Sequence, residues 1–287
     1  MIAVFKKELK SYFTSMIGFV FLAMFLVIVG LYFMIYNLIN QSANFSYVLQ
    51  GIQFLFILIV PVITMRIIAE ENRQKTDQLL YTAPVSVSKV IAGKYLALVT
   101  LFGIGILIIS LYPLILSGFG VVDFAIAYGS IFGFFLLGSA YIAMGLFISS
   151  LTESQVIAAV ISFVVMLFTY LMTSLAQLLP SDNLSVLLMF IALTVVACII
   201  IQMMMHNVWV TTLIGILCIA ALVILYFIRP EIYDNLMVNV LGTVSIATRY
   251  DNFSLGIFDI GALIYYLSIS FLFVFLTIQK VRKQRWS

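Results

Sequence analysis

Charge is what this chain has least of: Asp, Glu, Lys and Arg make up 9% of its 287 residues, against about 25% in an ordinary soluble domain. Apolar residues fill the gap at 64%, with a mean hydropathy of +1.24, so lipid rather than water is the solvent this composition fits. Cysteine and histidine are scarce as well. Cys198 and Cys218 lie inside apolar runs without metal-ligand spacing and read as small lipid- or helix-facing residues. His206, the only histidine, falls in a turn after Met203, Met204 and Met205. No nucleophile and base pair and no G-x-S-x-G element accompany it, which argues against a membrane hydrolase or acyltransferase. A phosphate-cradling loop is missing too. The one Gly-Lys pair, Gly93-Lys94, has Ser88 where the first glycine belongs and Tyr95 where the hydroxyl ligand belongs. The chain is therefore expected to be non-catalytic and to bind no cofactor; any ATP and Mg belong to a partner.

What is present is a series of long apolar runs. A helix needs about 20 mostly apolar residues to cross a bilayer, and eight runs approach or exceed that, at 16–37, 48–68, 90–116, 124–148, 156–178, 185–205, 208–228 and 257–278. Starting inside, all but Arg229 and Arg249 of the 14 Lys and Arg fall in cytoplasmic segments. That bias places both termini in the cytoplasm. The net charge of +3 reflects these orientation signals and contacts with lipid headgroups, and implies no nucleic acid. Every charged residue lies at or near a span end, so a dedicated ion path through the spans is disfavoured. Gln53, Thr64, Ser110, Ser139 and Tyr141 remain within the spans as helix-packing polar groups.

Residues 1–15 do not read as a cleavable signal, because the apolar stretch that follows them is too long and no small-residue cleavage site closes it. At 100° per residue, Ile2, Phe5, Leu9, Tyr12, Phe13 and Met16 share a stripe about 100° wide, with Lys7 and Lys10 outside it and Lys6 at its edge. This pattern predicts an interfacial helix lying on the bilayer. The resulting expectation is all-α: one polytopic membrane domain over 1–287, with the interfacial helix at 1–15 and about eight transmembrane helices. The segment 229–256, with Glu231, Asp234, Arg249 and Asp251 among aromatics, covers the outer mouth.

Two wet-side segments carry the most specific patterns. Segment 66–89 is too long and too charged for a tight turn. Thr76 suits a helix N-cap, Asp77 the positive helix end, Leu79, Leu80 and Tyr81 an apolar patch, and Pro84 a stop. An apolar patch on the wet side invites a protein partner; the alternative is an interfacial loop whose leucines dip into lipid. Segment 149–155 joins two spans through two overlapping capping patterns, Ser150 with Glu153 and Thr152 with Gln155.

These segments resemble the permeases of ABC-2 type transporters. Glu70 and Glu71 match that family's acidic pair at the inner end of the second span, followed in order by Thr76, Leu79, Leu80, Pro84, Val85, Gly93 and Lys94. Residues 145–159 match the end of its fourth span and the start of its fifth, and the basic tail ending Arg285-Trp286 also fits. The amphipathic start resembles its elbow helix. The closest resemblance is to the permeases of gliding-motility-type ABC systems, although the hairpin 185–228 departs from the six-span core. The resemblance implies a bacterial inner-membrane subunit that works as a homodimer or heterodimer with two copies of a P-loop ATPase, and allows for a membrane-anchored auxiliary subunit. It implies that Glu70, Glu71, Thr76, Asp77, Leu79, Leu80, Tyr81, Pro84, Thr152, Glu153 and Gln155 couple to the ATPase. The cytoplasmic Glu-Ala-Ala signature of importer permeases is lacking, so export is expected. An ATP-independent carrier or channel and a membrane enzyme are the rival classes.

On this topology the turn between the last hairpin's two helices faces the cytoplasm. An Asn207→Cys variant lacking Cys198 and Cys218 is expected to resist a membrane-impermeant thiol reagent in intact cells. Ready labelling would make the hairpin re-entrant.

Overall fold

In the computed structural model, residues 1–75, 86–178, 182–205, 208–228 and 236–286 are described, and the described residues are helical with connecting turns and no strand. The helices are α1 (Ile2–Thr14), α2 (Ile17–Phe33) with a π-helical extension (Met34–Ile39), α3 (Ser46–Gly51), α4 (Leu55–Thr64), α5 (Ala69–Gln74), α6 (Val87–Ile109) and α7 (Tyr112–Leu116). There follow α8 (Phe124–Leu151), α9 (Gln155–Leu178), α10 (Asn183–Met205), α11 (Val208–Ile228), α12 (Leu236–Val244), α13 (Asp251–Ser254) and α14 (Ile260–Trp286). Five described stretches are long and apolar enough to cross a membrane: Ile17–Ile39, Val87–Leu116, Phe124–Leu151, Gln155–Met172 and Ile260–Gln284. Contacts divide the chain into two compact units, 1–170 with 246–287, and 171–245.

In the first unit α8 is the axis. Its spanning window is 83% buried, and it packs against α3, α4, α6, α13 and α14. Burial on all sides explains why its apolar residues form no stripe. Small residues let its neighbours approach closely. A Cβ on Gly145 would lie 2.4 Å from Thr64 Oγ1, so α4 and α8 meet only because Gly145 has none. Thr64 itself is fully buried, and its hydroxyl donates to Val60 O at 2.8 Å within α4.

The apolar run 48–68 is not one helix. It is broken between α3 and α4 at 52–54, where tight turns bond Leu55 N to Ile52 O, Phe56 N to Gln53 O and Ile57 N to Phe54 O. The ten residues of α4 extend only about 15 Å. Phe45, Val48, Leu49 and Ile52 are all completely buried. Tyr47, Phe54, Leu58 and Val62 stay exposed, so the two helices keep an outward apolar face, and hydropathy, which averages over the run, does not register the break.

The stripe on α1 also has a second use. Ile2 and Met16 are exposed, while Tyr12 is buried and Phe5, Leu9 and Phe13 are partly buried as α1 packs against α6. A Cβ on Gly93 would lie 3.0 Å from Met1 O and 3.2 Å from Val4 Cβ, so this glycine admits α1 onto α6. Met16, in left-handed backbone with φ 59°, turns the chain from α1 into α2.

In the second unit α10 and α11 pack on each other. Val186 is buried there among Leu187, Met189, Phe190, Tyr226, Leu236 and Leu241. Positions 206–207 and 229–235, with His206, Asn207, Arg229, Glu231 and Asp234, lie outside the described residues.

Replacing Gly145 with valine is expected to force α4 and α8 apart and to cost about 1–3 kcal/mol, lowering the melting temperature of the detergent-solubilised protein. Gly129→Ala, where an added Cβ meets nothing within 4 Å, is expected to leave it unchanged or slightly higher.

Candidate functional site

The ends of α1, α4, α5, α6 and α8 meet in a polar cluster. At its centre is Lys94, two turns into α6 and only 1% exposed. Its ammonium donates to Glu8 Oε1 of α1 at 3.1 Å, to Glu71 Oε1 of α5 at 2.7 Å and to Ile67 O at 3.1 Å. An ammonium has three N–H bonds, and here each has an acceptor, which is the condition for keeping the charge out of water. Lys7, largely exposed, approaches the same two carboxylates at 3.5 and 3.7 Å. Glu70 is held separately, by the Arg66 guanidinium and by Gln74 Nε2 at 3.1 Å.

Both glutamates stand in the first turn of α5, where the helix dipole favours negative charge. That helix starts at Ala69 and ends at Lys75, which takes φ 55°. The Tyr12 hydroxyl donates to Ile63 O at 2.8 Å, supplying a partner near the end of α4. Burial first, and the nearby Glu8 charge second, push this phenol far above its ordinary range, so it stays a donor. Between α1 and the 66–74 region lies an open cleft of about 320 Å³, lined by Lys7, Ser11, Tyr12, Arg66, Glu70 and Glu71 among others.

A second node joins α8 to the same place. Ser149 is fully buried; its Oγ accepts from Ile68 N at 3.3 Å and Ala69 N at 3.2 Å and donates to Met65 O at 3.1 Å. These groups belong to the turn between α4 and α5, whose backbone would otherwise lack partners. Residues at the root of segment 66–89 and at the start of segment 149–155 are thus directly bonded.

Of the coupling candidates, Glu70 and Glu71 lie in this cluster. Thr152, Glu153 and Gln155 lie at the α8–α9 turn, with Glu153 exposed. Thr76, Asp77, Leu79, Leu80, Tyr81 and Pro84 lie outside the described residues, as does Val85. The helix restarts after α8 at Gln155, two residues beyond where Thr152 as a cap would start it, and the capping residue is Ser154. Ser154 Oγ accepts from Ile157 N at 3.5 Å, while Thr152 Oγ1 accepts from Ser154 N at 3.1 Å. Ser150 instead donates to Phe147 O at 2.6 Å, within α8.

Three residues of the cluster escaped the sequence reading: Glu8, Lys94 as an ion-pair centre, and Ser149. Glu8 did leave a signal, being an acid on the same face as Phe5 and Tyr12 in an otherwise basic helix.

Removing the Ser149 hydroxyl strands two amides and a carbonyl. Ser149→Ala is expected to cost about 1–3 kcal/mol and to speed hydrogen exchange at the Ile68 and Ala69 amides. Ser150→Ala, which removes one local bond, is expected to leave that exchange as it is.

A family model described as ABC-2 family transporter protein matches residues 39–228. The match contains Ser149, Lys94, Glu70 and Glu71 and covers well over half of the chain. No curated protein and no solved structure matches the chain. With its apolar spanning helices and its polar cluster at one end of the bundle, this chain belongs to the ABC-2 family of transporter proteins and is a membrane permease.

Proposed function

We propose that this permease is the membrane subunit of an ATP-driven exporter in the bacterial inner membrane. Separately encoded P-loop ATPases, two copies per complex, supply the energy from the cytoplasmic side, where both termini lie. A second permease, identical or homologous, completes the membrane part. α1 serves as the interfacial elbow, and the gliding-motility-type systems are the nearest functional analogue, with room for an auxiliary membrane-anchored subunit.

The observation that carries this reading is the bonding of the two cytoplasmic segments to each other. Ser149 ties the start of 149–155 to the root of 66–89 through two hydrogen bonds, from Ile68 N and Ala69 N, and to the adjoining Met65 O through a third. A chain with no phosphate loop of its own needs an input surface for work done elsewhere. Two joined segments at one end of the bundle supply such a surface, and the first of them carries Leu79, Leu80 and Tyr81 in its sequence.

Leu80→Asp places a charge in the contact that this patch would make on the ATPase. Losing a central interface anchor costs about 2 kcal/mol or more, so docking is expected to weaken at least about 30-fold. The variant is expected to insert in the membrane normally while losing ATPase co-purification. Glu153→Ala should lose less, and Leu217→Ala, on an exposed face of α11, should lose nothing. Undiminished ATPase binding and hydrolysis with Leu80→Asp would make segment 66–89 a lipid-facing loop.

A further inference from the structure

The cleft between α1 and the 66–74 region leaves open space between two elements that a driven permease must move together. Few contacts bridge it. Lys94 bonds α1 through Glu8 and α5 through Glu71, and Ile67 O, the third acceptor, lies in the turn leading into α5. Tyr12 reaches across to Ile63 O, but that carbonyl belongs to α4 rather than α5. Lys7 touches the same carboxylates from the exposed side at longer range, where solvent screens it. Ser149 ties the first residue of α5 to α8, and the buried link from the body of α5 to α1 is the one ammonium of Lys94.

We propose that Lys94 is a positioning residue that locks α1, α5 and α6 into a single lever. Displacement of the first cytoplasmic segment is then passed through Glu71 and Lys94 to Glu8, along α1, and through the Met16 turn into α2. Without the lock, α5 would close into or swing out of the cleft, and the movement would be absorbed there. The inference rests on the reading above, in which an ATPase moves that segment. Its geometric part concerns the permease alone.

A simple Lys94→Met change strands two carboxylates and is expected to destabilise the fold, so it cannot by itself separate positioning from folding. The triple variant Glu8→Gln, Lys94→Met, Glu71→Gln removes every charge of the lock, and replacing a whole buried ion cluster by neutral groups is often neutral for stability. Spin labels go on Lys10→Cys of α1 and Arg73→Cys of α5, both exposed, with Cys198 and Cys218 replaced by serine and the permease in lipid nanodiscs. The parent is expected to give one narrow distance distribution. The triple variant should melt near the parent temperature yet give a distribution at least about twice as wide. It should still co-purify with the ATPase, since residues 79–81 are unchanged, while ATP hydrolysis no longer shifts a label pair between α5 and α2. A triple variant as narrow as the parent overturns the lock. A parent that binds no ATPase would instead sink the function proposed above, and the distance distributions would still decide whether Lys94 fixes α5.

Discussion

A buried ammonium imposes a demand that few other side chains make. Out of water, the Lys94 charge loses several kcal/mol of hydration, and only a full set of acceptors at good distance offsets it. Three acceptors must converge on one point, and here they come from α1, α5 and the turn after α4. Removing one partner from such a set costs about 3–5 kcal/mol, so the three elements are bound to a common position. Gly93, immediately before Lys94, serves the same end by letting α1 come close enough for Glu8 to reach. A Gly-Lys pair that does not fit a phosphate loop has a structural reason of another kind: one residue admits the helix and the next holds it.

The rest of the first unit is arranged around α8 by comparable means, with packing in place of charge. In a lipid solvent, apolar surface gains little from burial against other helices, so close approach and hydrogen bonds decide which helices meet. The contact of Gly145 with Thr64 brings α4 to α8 within the bundle, and Ser149, four residues on, bonds the turn that follows α4. One helix therefore fixes both ends of the same connection, and the polar cluster inherits its position from that packing.

How much of this the sequence disclosed depends on whether the cause was local. Span composition and the face of α1 arise from neighbouring residues, and hydropathy and periodicity read them. The break at 52–54 lies inside a continuously apolar run, and hydropathy, which averages over the run, does not register a change in hydrogen-bond pattern. Glu8 and Lys94 are 86 residues apart and Ser149 is 80 from Ala69. No spacing rule within a single chain joins residues so distant. Ser154 shows a finer failure. Ser150 and Thr152 matched capping patterns and Ser154 did not, yet Ser154 is the cap, because Thr152 leaves α8 in extended conformation and the next helix starts only at Gln155.

The placement of charge has a mechanical consequence. A carrier that binds ions within its spans stores its energy there and needs ionisable groups at depth. In this permease the buried charges among the described residues gather where α1, α5 and α6 meet, beside the Ser149 bonds that join α8 to the start of α5. Salt bridges and hydrogen bonds fix the elements at that end in position, and close approach at Gly138 and Gly145 fixes the helices along their length. Ionisable groups placed this way serve the assembly of the helices, as the glycines and hydroxyls do at depth.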